Sequence, residues 1–121
     1  MSDALLIAII DDDASVRRAT GSLVRSLGFE VATFAGAEEF LQSPQRSDAA
    51  CIVCDVQMPG MSGIDLLDEM ALEGRNTPIV FITAFTADRV RQRAGNSVPV
   101  LHKPFQATDL ADSITHAIEH R

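Results

Sequence analysis

The chain has no tryptophan and no tyrosine among its 121 residues, and six phenylalanines are its whole aromatic content. Flat rings on which nucleobases stack are therefore scarce. Positive charge is scarce as well. Ten Lys and Arg stand against 17 Asp and Glu, for a net charge of −7. A nucleic-acid surface should be basic, so no direct nucleic-acid binding is expected, and cation binding is favoured. No apolar run approaches the ~20 residues of a bilayer crossing. No basic N-terminal region precedes a long apolar stretch, so no secretory signal is read. The expected location is cytoplasmic, with no membrane partner. Cysteine is limited to Cys51 and Cys54. A redox C-x-x-C wants a helix N-terminus. This pair lies in a strand-like run, where positions three apart point to opposite faces, so two reduced core thiols are expected. There is no internal repeat, low-complexity tract or interdomain linker. The length suits one domain over residues 1–121.

What the chain does have is a set of short apolar runs that do not alternate. Leu5–Ile10, Cys51–Cys54 and Ile79–Ile82 read as strands buried on both faces, the habit of a parallel sheet. Glu30–Phe34 and Pro99–His102 read as weaker strands. Helical spacings fill the gaps. Val16, Ala19, Leu23 and Leu27 recur at three and four, and Gly28 supplies a stop. Ala37–Gln42 is a short helix closed by Ser43-Pro44. Ile64, Leu67 and Met70 stripe a third helix that ends near Gly74. ADRVRQRAG, Ala87–Gly95, predicts a short fourth helix whose Arg89, Arg91 and Arg93 form a solvated face or meet an acidic partner. Leu110, Ile114, Ala117 and Ile118 stripe a fifth. Strand then helix, five times, predicts an α/β fold: a doubly wound, five-stranded parallel sheet with right-handed crossovers and helices on both faces.

In such a sheet ligands bind beyond the carboxyl ends of the strands. After the first strand come Asp11, Asp12 and Asp13. The third ends in Asp55, followed by VQMPGMSG. The fourth ends in Thr83-Ala84, and after the fifth comes HKPF with Lys103 and Pro104. Like charges ~4 Å apart repel by about 4 kcal/mol at an effective dielectric of about 20, so clustered acids call for water or a cation. Carboxylates from two strands can hold a hard divalent cation through oxygen, with water filling the other positions. With Lys103 and the Thr83 hydroxyl beside them, such a rim would accept a phosphoryl group on a carboxylate nucleophile. Asp13 reads as a helix N-terminal residue. Removing one charge, by Asp12→Ala or Asp11→Asn, is expected to stabilise the metal-free fold.

Taken in order, IIDDD, CDVQMPGMSG, FITA and HKPF resemble the signature of response-regulator receiver domains of two-component signalling, from Leu5 to about His120. The resemblance implies a flavodoxin-like sheet in the order 2-1-3-4-5. It implies Asp55 as phosphoacceptor and Asp11 and Asp12 as the acid pair that holds Mg²⁺ or Mn²⁺, Asp12 directly and Asp11 through water. Asp55 and the backbone carbonyl of Gln57 would complete the protein's ligands to the metal. Thr83 corresponds to the switch hydroxyl, the N–H of Ala84 to a phosphoryl-binding donor, and Lys103 to the pairing lysine, with a cis bond to Pro104. The implied partners are a sensor histidine kinase or a histidine phosphotransfer protein, and an output protein or domain. The implied state is a monomer or weak dimer. The implied chemistry is self-phosphotransfer and autodephosphorylation rather than turnover of a separate substrate.

Two departures qualify the resemblance. The family's aromatic switch position, three before the lysine, is Val100, which has no ring to swing. The stretch from Thr83 to Lys103 is about two residues short, which predicts a clipped or displaced fourth helix. Two rival functions differ from the switch. One is a phosphohydrolase of the haloacid-dehalogenase type using Asp11, whose D-x-D-x-[TSV] pattern Asp11, Asp13 and Ser15 formally fit. The other is a degenerate receiver that binds partners without phosphorylation.

Overall fold

Leu6–Ile10 forms strand β1, which pairs with two other strands of the sheet. The computed structural model describes residues 4–84, 90, 92 and 98–119. Asp13 ends the turn after β1 by capping helix α1, Ala14–Ser26: its carboxylate accepts the N–H groups of Ser15 and Val16. Those donors have no intrahelical partner, so a side-chain acceptor there stabilises the helix start by roughly 1 kcal/mol. Strand β2 is Glu30–Phe34 and helix α2 is Ala37–Leu41. A 3₁₀ turn, Pro44–Ser47, leads into β3, Ala49–Asp55. Ser62 caps α3, Gly63–Leu72, in a reciprocal arrangement with Asp65. Strands β4, Ile79–Thr83, and β5, Val100–His102, and helix α4, Ala107–Glu119, complete the described chain. The basic helix expected over Ala87–Gly95, with Arg89, Arg91 and Arg93, lies outside the described residues apart from Val90, which is buried, and Gln92.

The five strands pair in parallel in the order β2-β1-β3-β4-β5. The order expected from the resemblance is thus the one observed, and the non-alternating runs of β1, β3 and β4 hold its three central positions. Every residue of β3 is buried because helices cover both sides of the sheet. The pleat sorts side chains into two cores. Ile7, Ile9, Cys51, Val53, Val80 and Ile82 pack with Val24 of α1 and Leu110 and Ile114 of α4. Ala8, Ile10, Ile52, Cys54, Ile79 and Phe81 pack with Phe40 of α2 and Ile64, Leu66 and Met70 of α3. Cys51 and Cys54 therefore sit in opposite cores as free thiols, and burial pushes the Cys51 thiol up to about 12. Among the described residues no helix is long and apolar enough to cross a membrane.

Candidate functional site

Register decides which strand ends meet. Ile10 pairs with Cys54, so the next residues, Asp11 and Asp55, stand side by side. Asp55 pairs with Ile82 and Thr83 with His102, so Thr83 and then Lys103 follow one step further along the rim. The pleat turns Asp11 and Asp55 to the same side as Ile9 and Val53, the side covered by α1 and α4. Helix α3 closes in behind. Gly63 donates its N–H to the Val56 carbonyl at 2.9 Å, and a Cβ on it would stand 2.7 Å from the Asp55 carbonyl oxygen. Only a residue without a side chain allows that approach.

One ammonium joins the two buried acids. Lys103 Nζ donates to Asp11 Oδ2 at 3.2 Å and to Asp55 Oδ2 at 3.1 Å. Each carboxylate is held at its other oxygen as well: Asp11 Oδ1 accepts the Asp13 N–H at 2.9 Å, and Asp55 Oδ1 accepts the Gln57 N–H at 3.2 Å. Arg17 Nη1 donates to the Asp11 carbonyl at 2.7 Å, tying the first turn of α1 to the acid loop. Asp12 is exposed, and among the described residues no hydrogen bond or ion pair holds it. Its carboxylate still offers an oxygen within 4.8 Å of oxygens on Asp11 and Asp55. Three carboxylates against one ammonium leave the rim at a formal −2, the charge that one divalent cation cancels. Hard oxygen donors of this kind fit Mg²⁺ or Mn²⁺. An open groove of ≈ 440 Å³ runs beside them, lined by Asp12, Gln57, Met58, Pro59 and Ser62.

Thr83 is fully buried at the end of β4, and its carbonyl accepts the Lys103 N–H at 2.7 Å. Ala84, next to it, is exposed. The Lys103–Pro104 peptide is cis, as the resemblance implied. Val100 packs half-buried against the α2–α3 core. Sequence reasoning singled out each of these positions. It missed Arg17, because nothing in a strand-end pattern shows that a guanidinium one turn into a helix will reach back to the loop carbonyl.

Burial raises the Asp55 carboxyl above its ordinary value of 3.8. Lys103 and the Gln57 N–H pull it down without cancelling that effect, and the Asp11 charge adds to the rise. Burial also works against the Lys103 ammonium, but its bonds and charge contacts with Asp55 and Asp11 prevail, so its pKa lies above 10.5. Folded Asp55 thus holds its proton more tightly than the unfolded chain does. The stability this confers is fully present below the unfolded pKa and is lost as pH rises through the raised folded value. In chelator, denaturation midpoints of the wild type should fall relative to those of Asp55→Asn as pH climbs from about 4. A difference that stays constant with pH would contradict the raised carboxyl.

The geometry separates two acids whose removal charge alone would make equivalent. Asp12→Ala removes an exposed charge that repels its neighbours and breaks no bond among the described residues. It should stabilise the metal-free protein by on the order of 1 kcal/mol and remove most divalent-cation binding. Asp11→Asn would cost the charged bond to Lys103, so the stabilisation expected for it from charge alone is offset. Denaturation in chelator and titration calorimetry with Mg²⁺ read the two effects. Undiminished binding by Asp12→Ala would remove Asp12 from the site.

Residues 7–115 match the family model described as the response regulator receiver domain. Among curated proteins the chain is similar to nodulation protein W of Bradyrhizobium diazoefficiens, 38% identical over 120 residues that cover 98% of this chain and 53% of that protein. It is similar to the response regulator protein TodT of Pseudomonas putida, 38% identical over 122 residues, 98% of this chain and 54% of that protein. The chain therefore spans about half the length of these curated relatives. Among solved structures it resembles the response regulator StyR, with a TM-score of 0.85 and 38% identity over 96% of this chain and 60% of that one. It also resembles FixJ-N, with a TM-score of 0.84 and 30% identity over 100% of this chain and 98% of that one.

Proposed function

The chain belongs to the response regulator receiver domain family, and from that premise we propose that it is a phosphorylated switch whose acceptor is Asp55. The observation that most supports this reading is the single ammonium of Lys103 shared by the buried carboxylates of Asp11 and Asp55, with Asp12 beside them. The donor is a phosphohistidine on a sensor kinase or a phosphotransfer protein. An Asp55 carboxylate oxygen attacks phosphorus, the P–N bond breaks, and the departing imidazole takes up a proton. A Mg²⁺ held by Asp12, Asp55 and the Gln57 carbonyl, with Asp11 acting through water, would neutralise charge on the phosphoryl oxygens.

The chain's own groups do the rest. Lys103 and the Gln57 N–H orient the acceptor carboxylate before reaction. Once the phosphoryl group is attached, Lys103, the Thr83 hydroxyl and the Ala84 N–H share its added charge. Thr83 turning toward the group is the switch. With Val100 in place of a ring, the change passes to β5 as a shift of backbone and helix, and an output domain or protein reads it. The hydrolase reading is weakened by Asp13, whose carboxylate caps α1, and by Ser15, which is exposed on that helix. Incubation with acetyl phosphate and Mg²⁺ should place one labile acyl phosphate on each chain, and chelator should prevent it. No incorporation at any Mg²⁺ concentration would overturn the proposal.

A further inference from the structure

Between Asp55 and α3 the chain makes a loop, residues 57–62, in which Met58 is buried while Gln57, Pro59 and Gly60 are exposed, and α2 holds this loop at its tip. Glu38 Oε1 accepts the Met61 N–H at 3.0 Å, a contact between residues 23 apart in sequence. At the neighbouring Gly60 the backbone has a φ of +78°, and a Cβ there would stand 3.1 and 3.2 Å from the two Glu38 carboxylate oxygens. The loop backbone therefore lies directly against the carboxylate. The residue that reaches it is rigidly based. Ala37 and Phe40 of α2 are fully buried, and the Phe40 ring meets Phe34 edge-on with centroids 5.3 Å apart. At its other end the loop starts on the site itself, since the Gln57 N–H rests on Asp55 Oδ1. Its base is closed by the Gly63 N–H on the Val56 carbonyl.

We infer that Glu38 is a positioning residue for the cation site: through Met61 it fixes the loop that presents the Gln57 carbonyl, and so sets the affinity of the acid rim for a divalent cation. This rests on the proposed metal-binding reading of Asp11, Asp12, Asp55 and Gln57. Outer partners that orient metal ligands typically change affinity by 10–100-fold when removed. Glu38 acts as a hydrogen-bond acceptor held by a packed helix, so an uncharged acceptor of the same shape should serve nearly as well. That separates positioning from a plain charge effect.

The test compares Glu38→Ala with Glu38→Gln in the whole chain. Mg²⁺ affinity is measured by calorimetry, and hydrogen exchange of the Gln57 and Met61 amides is followed in the metal-free protein. Glu38 is exposed, so both variants should fold, which a denaturation midpoint near wild type verifies. Glu38→Ala should weaken Mg²⁺ binding by roughly 10-fold and speed exchange at Met61. Glu38→Gln should keep both near wild type. Wild-type affinity in Glu38→Ala, or equal losses in the two variants, would overturn the inference. Absence of Mg²⁺ binding by the wild type would instead overturn the metal site and the affinity claim with it, while the exchange arm would still show whether Glu38 holds the loop.

Discussion

Asp55→Asn is expected to take up no phosphoryl group from acetyl phosphate while keeping its fold. An amide oxygen is a poor nucleophile, and none of the neighbouring carboxylates stands where Asp55 does. Asp11 is fully buried, with both oxygens held by Asp13 and Lys103. Asp12 is exposed on the groove side, away from the bonds that Lys103 makes. The variant should fold because Asn still accepts the Gln57 N–H and no longer carries a charge that burial disfavours. The expected loss is complete, against a partial loss in Asp11→Asn, which weakens the site through its surroundings. Thr83→Ala should still be labelled, since Asp55 and Lys103 remain, although it loses the hydroxyl proposed as the switch and a buried methyl with it. Phosphate incorporation measured on a gel that retards acyl phosphates reads all three.

Lys103→Ala should have the largest effect on stability. It strips the ammonium from two carboxylates that the fold keeps out of water. Removing one partner of a buried ion pair costs about 3–5 kcal/mol, and the low end applies here because the lysine is part open to solvent. The loss should be about 3 kcal/mol in chelator at neutral pH. It should shrink as pH falls toward the carboxylate range, because protonating an acid removes the unpaired charge, and it should shrink again when Mg²⁺ is added. The same variant should bind Mg²⁺ more tightly, having lost a competing cation. Urea denaturation at two pH values, with and without Mg²⁺, reads these effects. A loss of equal size in every condition would mean that Lys103 matters for its packing alone.

Much of this site was legible in the sequence because parallel sheets put their chemistry at strand ends. Apolar runs without alternation marked buried strands, and the polar residues just past them, Asp11, Asp55, Thr83 and Lys103, fell on one rim once the strands paired. Ser62 and Gly63 opened α3 as their types suggest. Other features depend on pairing or on long-range contact. Ala49 and Ala50 have little strand preference, and they join β3 where the sheet is built on β1. The 3₁₀ turn at Pro44–Ser47 was hidden behind a proline that read as a helix stop. The unequal situations of Asp11 and Asp12 follow from which one faces Lys103, and adjacent letters cannot tell. Arg17 and Glu38 act on loops that only the folded chain brings to them.

The proposed receiver mechanism stands most directly on where the phosphoryl group sits. After labelling with acetyl phosphate and Mg²⁺, borohydride reduces an aspartyl phosphate to homoserine, and peptide mass spectrometry finds the altered residue. The reduction should fall on Asp55 alone, at no more than one site per chain, and should disappear in chelator. Reduction at Asp11 with Asp55 intact would contradict the receiver mechanism and return the hydrolase reading in its place.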